Sequence, residues 1–370
     1  MKRITCFTES LAGGGAEHQI TILAGLLAQK GYEVNLVTYA TIPDHYETPD
    51  GVKRQDIGYT RLKKHLPKAI IKIVKVFHFF LWLKTDCIIS YRQSPNIRLL
   101  LPMLFRVHRP KVICGERNTT TSMEWKEKLL FGGLYSIADY IVPNSHTQTI
   151  FIKGYRPKLS PKIRTIINYT DLSQFTACEL PCDLSVIKIV IFSRFNNQKN
   201  PIGFASAMQE LKNRSKQKFE VHWYGYQGGE IEGKNIDYIR VRRKIDELGI
   251  EDVLKLFPPV KNPALLMSDY HAVCLPSLYE GFSNSVSEGI CCGKPMLVSD
   301  VSDNSIMVHN GENGFLFNPR DTGSICNAFL KFFGLDNGEM SRMARKSRNI
   351  AESLFNKERF VQQYIELIEN

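Results

Sequence analysis

The chain has no run of the ~18 uninterrupted apolar residues that a membrane-spanning helix needs. Its most apolar segment, 69–83, is broken by Lys72, Lys75 and His78, so no spanning helix is expected. It has no CxxC pair. The nine cysteines are odd in number and scattered; Cys178 and Cys182 are separated by three residues, and Cys291 and Cys292 are adjacent. Neither spacing builds a zinc framework without partner ligands, and the nine histidines do not cluster beside them. The expectation is reduced thiols in a cytoplasmic protein, several of them packed as small apolar residues. Zinc-finger, RNP-like and basic heptad patterns are missing, which argues against a nucleic-acid partner. A secretory leader is not expected either: after Met1-Lys2-Arg3, the apolar stretch Ile4 to Phe7 is too short and reads as a strand. There is no internal repeat and no low-complexity tract.

What is there is an ordinary soluble composition, 43% apolar and 23% charged over 370 residues, long enough for about two to three domains. The net charge of +11 is lopsided. Residues 1–178 hold 25 Lys and Arg against 13 Asp and Glu, whereas residues 179–370 hold 23 against 24. An anionic partner is therefore expected for the first half, a membrane surface more than nucleic acid.

Strand and helix patterns alternate. Lys2 to Thr8 reads as a strand, Glu9 to Glu17 as a glycine-rich turn, and Ala16 to Lys30 as a helix stopped by Gly31. Val34 to Tyr39 completes a βαβ unit. Gly13 to Gly15 would let the backbone approach a phosphate; a purely structural turn is the other reading. Further strands are expected at Cys87 to Ser90, Val112 to Cys114, Tyr140 to Val142 and Ile163 to Ile167. The polar turn Gly115 to Thr120 follows the second of them. A linker is expected at 176–184. After it the alternation restarts with strands at Val186 to Ser193, at Phe219 to Tyr224 ending at Gly225, at Val253 to Phe257, at Tyr270 to Leu275, at Met296 to Ser299 and at the edge, Gly314 to Phe317. Two α/β halves of similar size place ligands at the C-terminal ends of their strands. Between Arg61 and Lys84, Lys64, Lys68, Lys72 and Lys75 recur at helical spacing beside bulky apolar residues. Two readings are open: a solvated face of a packed helix, or an interfacial helix drawn to anionic lipid.

The most informative stretch is Leu275 to Ile290, a strand, a turn and a helix start. Glu280 and Glu288 flank the turn with Ser283, Asn284 and Ser285 between them. The small polar residues leave helix N-terminal N–H groups open to an anion. Two carboxylates beside an anion suit a ligand with both phosphates and hydroxyls, which is the chemistry of a nucleotide-sugar. The alternative is a capping box, Ser285-x-x-Glu288, with Glu288 in the first helical turn.

Together these residues resemble the retaining glycosyltransferases of family 4, which have the GT-B fold. Glu280 to Glu288 is similar to the family's E-x7-E pattern, and Arg194 with Lys199 to its diphosphate-binding pair. Gly13-Gly14-Gly15-Ala16-Glu17 is similar to its glycine turn, Asn168 to Asp171 with Phe175 to the stretch before its linker, and Asn313-Gly314-Phe315 to its late turn. The resemblance implies an acceptor domain at 1–178, onto which a helix at about 357–370 packs back, and a donor domain at 185–356, both Rossmann-like and facing each other across a cleft.

It implies that Arg194, Lys199 and Glu280 are catalytic. It implies that Gly14, Gly15, Gly225, Ser283, Asn284, Ser285 and Glu288 hold the donor, a nucleotide-sugar and by expectation a UDP-sugar. The acceptor would be a glycan or lipid-linked, met at the inner face of the membrane. Retention without a metal ion is implied, in keeping with the missing Asp-x-Asp motif. Ser283 and Gly289 stand where the family often has Pro and Ala, and Pro259 where Gly is common. No His follows Cys114 closely, so Glu17, Glu116, Arg117 and Asn118 are the acceptor-side candidates. A nucleotide-sugar epimerase or hydrolase, and a non-catalytic sugar-nucleotide sensor, are the rival readings.

Overall fold

The computed structural model describes residues 1–40, 42, 44–58, 68–229 and 233–370, with the backbone alone at 68–72, 229, 233 and 234. Contacts divide it into two compact units, Met1–Tyr169 with Lys357–Asn370, and Thr170–Asn356.

In the first unit β1 (Arg3–Thr8), α1 (Gly15–Gln29), β2 (Glu33–Thr38), β3 (Val52–Asp56), α2 (Lys68–Trp82), β4 (Cys87–Tyr91), α3 (Gln93–Met103), β5 (Lys111–Glu116), α4 (Trp125–Gly132), β6 (Tyr140–Pro143) and α5 (His146–Tyr155) follow in order. The six strands form one parallel sheet ordered β3-β2-β1-β4-β5-β6. Parallel strands are covered on both faces, so β4, Cys-Ile-Ile-Ser-Tyr, is buried at every position. Edge strand β3, Val-Lys-Arg-Gln-Asp, is largely exposed instead. Gly31, at φ +88°, lies in the left-handed region just past the end of α1.

The second unit repeats the architecture. Its elements are β7 (Val186–Phe192), α6 (Pro201–Arg214), β8 (Lys218–Tyr224), the short hairpin β9 (Gly228–Gly229) and β10 (Gly233–Lys234), α7 (Ile236–Leu248), β11 (Leu254–Phe257), β12 (Ala272–Leu275), α8 (Asn284–Cys291), β13 (Met296–Ser299), α9 (Asn304–Met307), β14 (Gly314–Phe317), α10 (Thr322–Phe333) and α11 (Asn337–Leu354). The parallel order is β11-β8-β7-β12-β13-β14. A capping box between Asp336 and Glu339 starts α11, and Asp321 caps α10. The final helix, α12 (Lys357–Glu369), groups with the first unit: Phe360 stacks on Tyr169 at 5.5 Å, and the Tyr364 and Tyr91 hydroxyls meet at 2.7 Å.

Two expectations need correcting. Ile163 to Ile167 is not a strand; it forms one bridge, Ile163 with Ile141, and two N–H groups donate to Ile141 and Pro143. Its apolar character reflects burial of Ile163 and Ile166. The compact units divide between 169 and 170, so residues 170–184 sit with the second unit. There the Cys178 N–H donates to the Cys292 carbonyl at 3.1 Å, and the buried Lys294 ammonium to the Glu179 carbonyl at 3.0 Å.

Both sheets are doubly wound. The strand order reverses between β1 and β4 in the first unit and between β7 and β12 in the second. Crevices at such reversals, beyond the carboxyl ends of the strands, are where open α/β sheets bind ligands.

Candidate active site

At the second unit's reversal point, β7 runs into Ser193 and Arg194, and β12 into Ser277 to Ser283. Asn196 accepts a hydrogen bond from the Lys199 N–H and shapes a single 3-10 turn, Asn197–Lys199. Asn200 then takes φ +56°, and Pro201 opens α6. This turn aims Lys199 at Glu280, and the ammonium and carboxylate form a short ion pair with both side chains largely buried. Two hydrogen bonds stitch the two loops: the Leu278 N–H to the Gln198 carbonyl at 2.8 Å, and the Gln198 side-chain amide to the Tyr279 carbonyl at 3.0 Å. Arg194 is exposed at the same end of β7.

The turn into α8 departs from the capping-box alternative. Ser283, not Ser285, is the N-cap, accepting from the Val286 N–H at 3.5 Å. Ser285 donates to the Phe192 carbonyl at 2.6 Å, tying α8 to the end of β7. Glu288 lies in the second helical turn rather than the first, too far along to reach back to the cap. Asn284 and Ser285 occupy the first two helical positions, whose N–H groups have no partner within the helix.

The electrostatic difficulty of two carboxylates beside an anion site resolves in the structure. Glu280 has its charge matched by Lys199. Burial pushes the Glu288 carboxyl up to about 8, so it stays largely protonated at neutral pH. Beside them stand the exposed Arg194 and the positive end of the α8 dipole.

Gly225 is explained by packing. A Cβ there would stand 2.3 Å from the Ser193 carbonyl oxygen. Gly289, where the related family often has Ala, faces Met296, whose side chain takes the space: a Cβ would meet its Sδ and Cε at 3.0 Å.

Sequence reasoning missed Ser302. Its hydroxyl donates to the Glu280 carbonyl at 2.6 Å, and it stands 3.2 Å from the Glu280 N–H. It adopts φ +51°, which a serine does not announce in sequence.

The first unit's reversal point holds the glycine turn. Gly13 has φ +95°. Gly14 caps α1, and a Cβ on it would fall 2.0 Å from the Glu17 carboxylate; Gly15 is the first helical residue. Glu17 is buried and paired at 2.6 Å with Arg92, a residue at φ +81° that the sequence did not flag. Each reversal point thus carries a cation paired with a buried carboxylate.

Glu116 is turned into the core at 1% exposure. Tyr135 donates to its carboxylate. Burial, with Glu127 nearby, pushes its carboxyl up to about 8. It is therefore not displayed to an acceptor, a correction to the expectation. Arg117 lies 3.4 Å over the Tyr91 ring and donates to the Tyr364 hydroxyl at 2.7 Å and to Asn168 at 3.3 Å. Asn118 is exposed. Of the lysine stripe, Lys64 lies outside the described residues, as do the side chains of Lys68 and Lys72; Lys75 is half-buried.

Two Rossmann-like sheets of this order define the GT-B class, and the solved structures agree. The chain superposes on sucrose-phosphate synthase from Thermosynechococcus elongatus with TM-score 0.83 at 18% identity, covering 99% of this chain and 98% of that one. It superposes on Anabaena HepE in complex with UDP and glucose with TM-score 0.79 at 16% identity, covering 99% of both. Residues 183–350 match the family described as glycosyl transferases group 1. The N-acetylgalactosamine-N,N'-diacetylbacillosaminyl-diphospho-undecaprenol 4-alpha-N-acetylgalactosaminyltransferase of Campylobacter jejuni is 25% identical over 318 residues, 81% of each chain. Residues 183–350 are thus similar to this group of glycosyltransferases, and most of the chain is similar to a glycosyltransferase relative.

Proposed function

We propose that the protein transfers a sugar from a UDP-sugar to a glycan or lipid-linked acceptor, retaining the anomeric configuration and using no metal ion, in cell-surface glycan synthesis. The observation that carries the reading is the Lys199–Glu280 pair set against Arg194 and the start of α8. A departing diphosphate gains charge in the transition state. Fixed cations and helix N–H groups stabilise that charge, and do so without reorganising. Lys199 offers a point charge and Arg194 a fork. Held by Lys199 and by Ser302 on its backbone, Glu280 is positioned to accept a sugar hydroxyl, and Glu288 to bond the ribose.

A uridine diphosphate donor is supported by the solved HepE complex, which holds UDP and glucose. A lipid-linked acceptor is supported by the Campylobacter relative, whose name specifies a diphospho-undecaprenol acceptor. In this reading the enzyme works in the cytoplasm, peripheral to the inner face of the membrane; the +12 charge of residues 1–178 suits anionic lipid. Among the described residues no helix is long and apolar enough to cross a membrane.

Arg194→Ala is the cleanest test, because an exposed side chain contributes little to folding. Turnover with a UDP-sugar is expected to fall ~10²–10³-fold at unchanged melting temperature. Near-normal turnover would sink the assignment. Lys199→Ala alone strands a buried carboxylate at about 3–5 kcal/mol, so it is read beside Lys199→Ala/Glu280→Gln. Glu280→Gln alone is expected to slow transfer with UDP affinity largely kept.

A further inference from the structure

We propose that the segment joining α3 to β5, residues 104–109, and the outward side of α2 form one preformed surface that inserts apolar side chains into an anionic lipid layer. The proposal rests on the reading that the acceptor is membrane-borne, and goes beyond the lysine stripe by naming the 104–109 segment and the side chains that enter the lipid.

Soluble proteins seldom leave large apolar side chains grouped in water. Here Trp82, Phe105 and Val107 are 68%, 69% and 92% exposed, with Val74 and Leu104 also exposed. On α2, Val74, His78 and Trp82 recur every fourth residue and face solvent, while Val76 and Phe80 are buried. The segment is fastened to that helix. Phe105 packs edge-on against Phe77 with ring centroids 5.7 Å apart, and the Arg106 guanidinium donates to the Phe80 carbonyl at 2.9 Å.

Charge selects the occupant. From Ile57 to Gly115 the chain carries twelve Lys or Arg and one acid, Asp86. Three basic residues, Arg106, His108 and Arg109, interleave and follow the apolar Phe105 and Val107. A second copy of the same surface would bring like charges together, whereas an anionic bilayer matches them. Arginine and lysine stems reach up to phosphate headgroups while apolar side chains enter the acyl boundary, and tryptophan favours that boundary.

The experiment uses the full chain and vesicles of phosphatidylglycerol in phosphatidylcholine. Tryptophan emission is expected to shift to the blue on adding vesicles, and Trp82→Phe to remove most of the shift. Phe105→Ser/Val107→Asp is expected to weaken vesicle binding about tenfold or more, and to leave transfer to a water-soluble acceptor unchanged. Val107→Asp alone, at a side chain with almost no packing to lose, is expected to weaken binding in the same direction. High salt is expected to reduce wild-type binding without abolishing it. Wild-type affinity in the double variant would overturn the proposal, as would an unshifted Trp82 or a lipid-free dimer that Val107→Asp dissociates. If vesicles bind as expected but only soluble glycans are glycosylated, the lipid-linked-acceptor reading fails and the inserted surface stands. Use of a lipid-linked acceptor without vesicle binding through these residues overturns the surface alone.

Discussion

A carboxyl that folding keeps protonated makes stability depend on pH. Glu116 holds its proton up to about 8 in the folded chain, against an ordinary value of 4.5. The native state therefore binds more protons than the unfolded state between those values, and stability falls as pH rises through that window. Glu116→Gln keeps the shape and removes the titration. Its melting temperature is expected to decline less than wild type between pH 6.5 and 8, a range chosen to avoid His18. Burial and the neighbouring His45 lower that imidazole to about 4 from 6.5, so its contribution is lost as pH falls through that lower range. Identical thermal profiles for wild type and Glu116→Gln would refute the account of the Glu116 site. At this scale the sequence is uneven. Glu280 stood out as a carboxylate in a polar turn after an apolar strand and Lys199 through the family resemblance, and the fold brings the two turns together. Arg92 and Ser302 did not stand out. Their distinguishing feature is a positive φ, and only glycine advertises that in sequence.

In the proposed mechanism, helix α8 is the element on which donor binding turns. Its cap bond from Ser283 is long, at 3.5 Å, so Ser283→Ala is expected to cost about 0.5 kcal/mol, the low end for a cap. Glu288→Gln is expected to leave the melting temperature at pH 7 nearly unchanged, since the carboxyl is already largely neutral there, and to weaken UDP binding as measured by calorimetry. A fall in stability with UDP affinity intact would return Glu288 to a structural role. Central strands such as β4 and β12 were legible as unbroken apolar runs. Strand β3 was not, because Val-Lys-Arg-Gln-Asp buries almost nothing and gains its place from its backbone ladder with β2 and from polar side-chain pairs such as Lys53 with Glu33 and Gln55 with Asn35. The segment 163–167 misled for the converse reason: side chains packed like those of a strand need no ladder.

For the whole molecule, two doubly wound sheets each place a cation–carboxylate pair at the reversal of strand order: Glu17 with Arg92, and Glu280 with Lys199. The alternation of strands and helices made this architecture readable from sequence. The assignment of 170–184 to the second unit was not, since it depends on Cys178 and Glu179 meeting Cys292 and Lys294, more than a hundred residues away. In the proposed mechanism, the protein's own cations at the second unit's pair carry the charge of the leaving diphosphate and the sugar keeps its configuration. The most direct test incubates the enzyme with an α-linked UDP-sugar and a lipid-diphosphate acceptor in excess EDTA, then reads the anomeric proton of the product by NMR. The account predicts transfer at an undiminished rate and an α-linked product. A β-linked product, loss of transfer restored by Mg²⁺ or Mn²⁺, or release of free sugar with no glycosylated acceptor would contradict it.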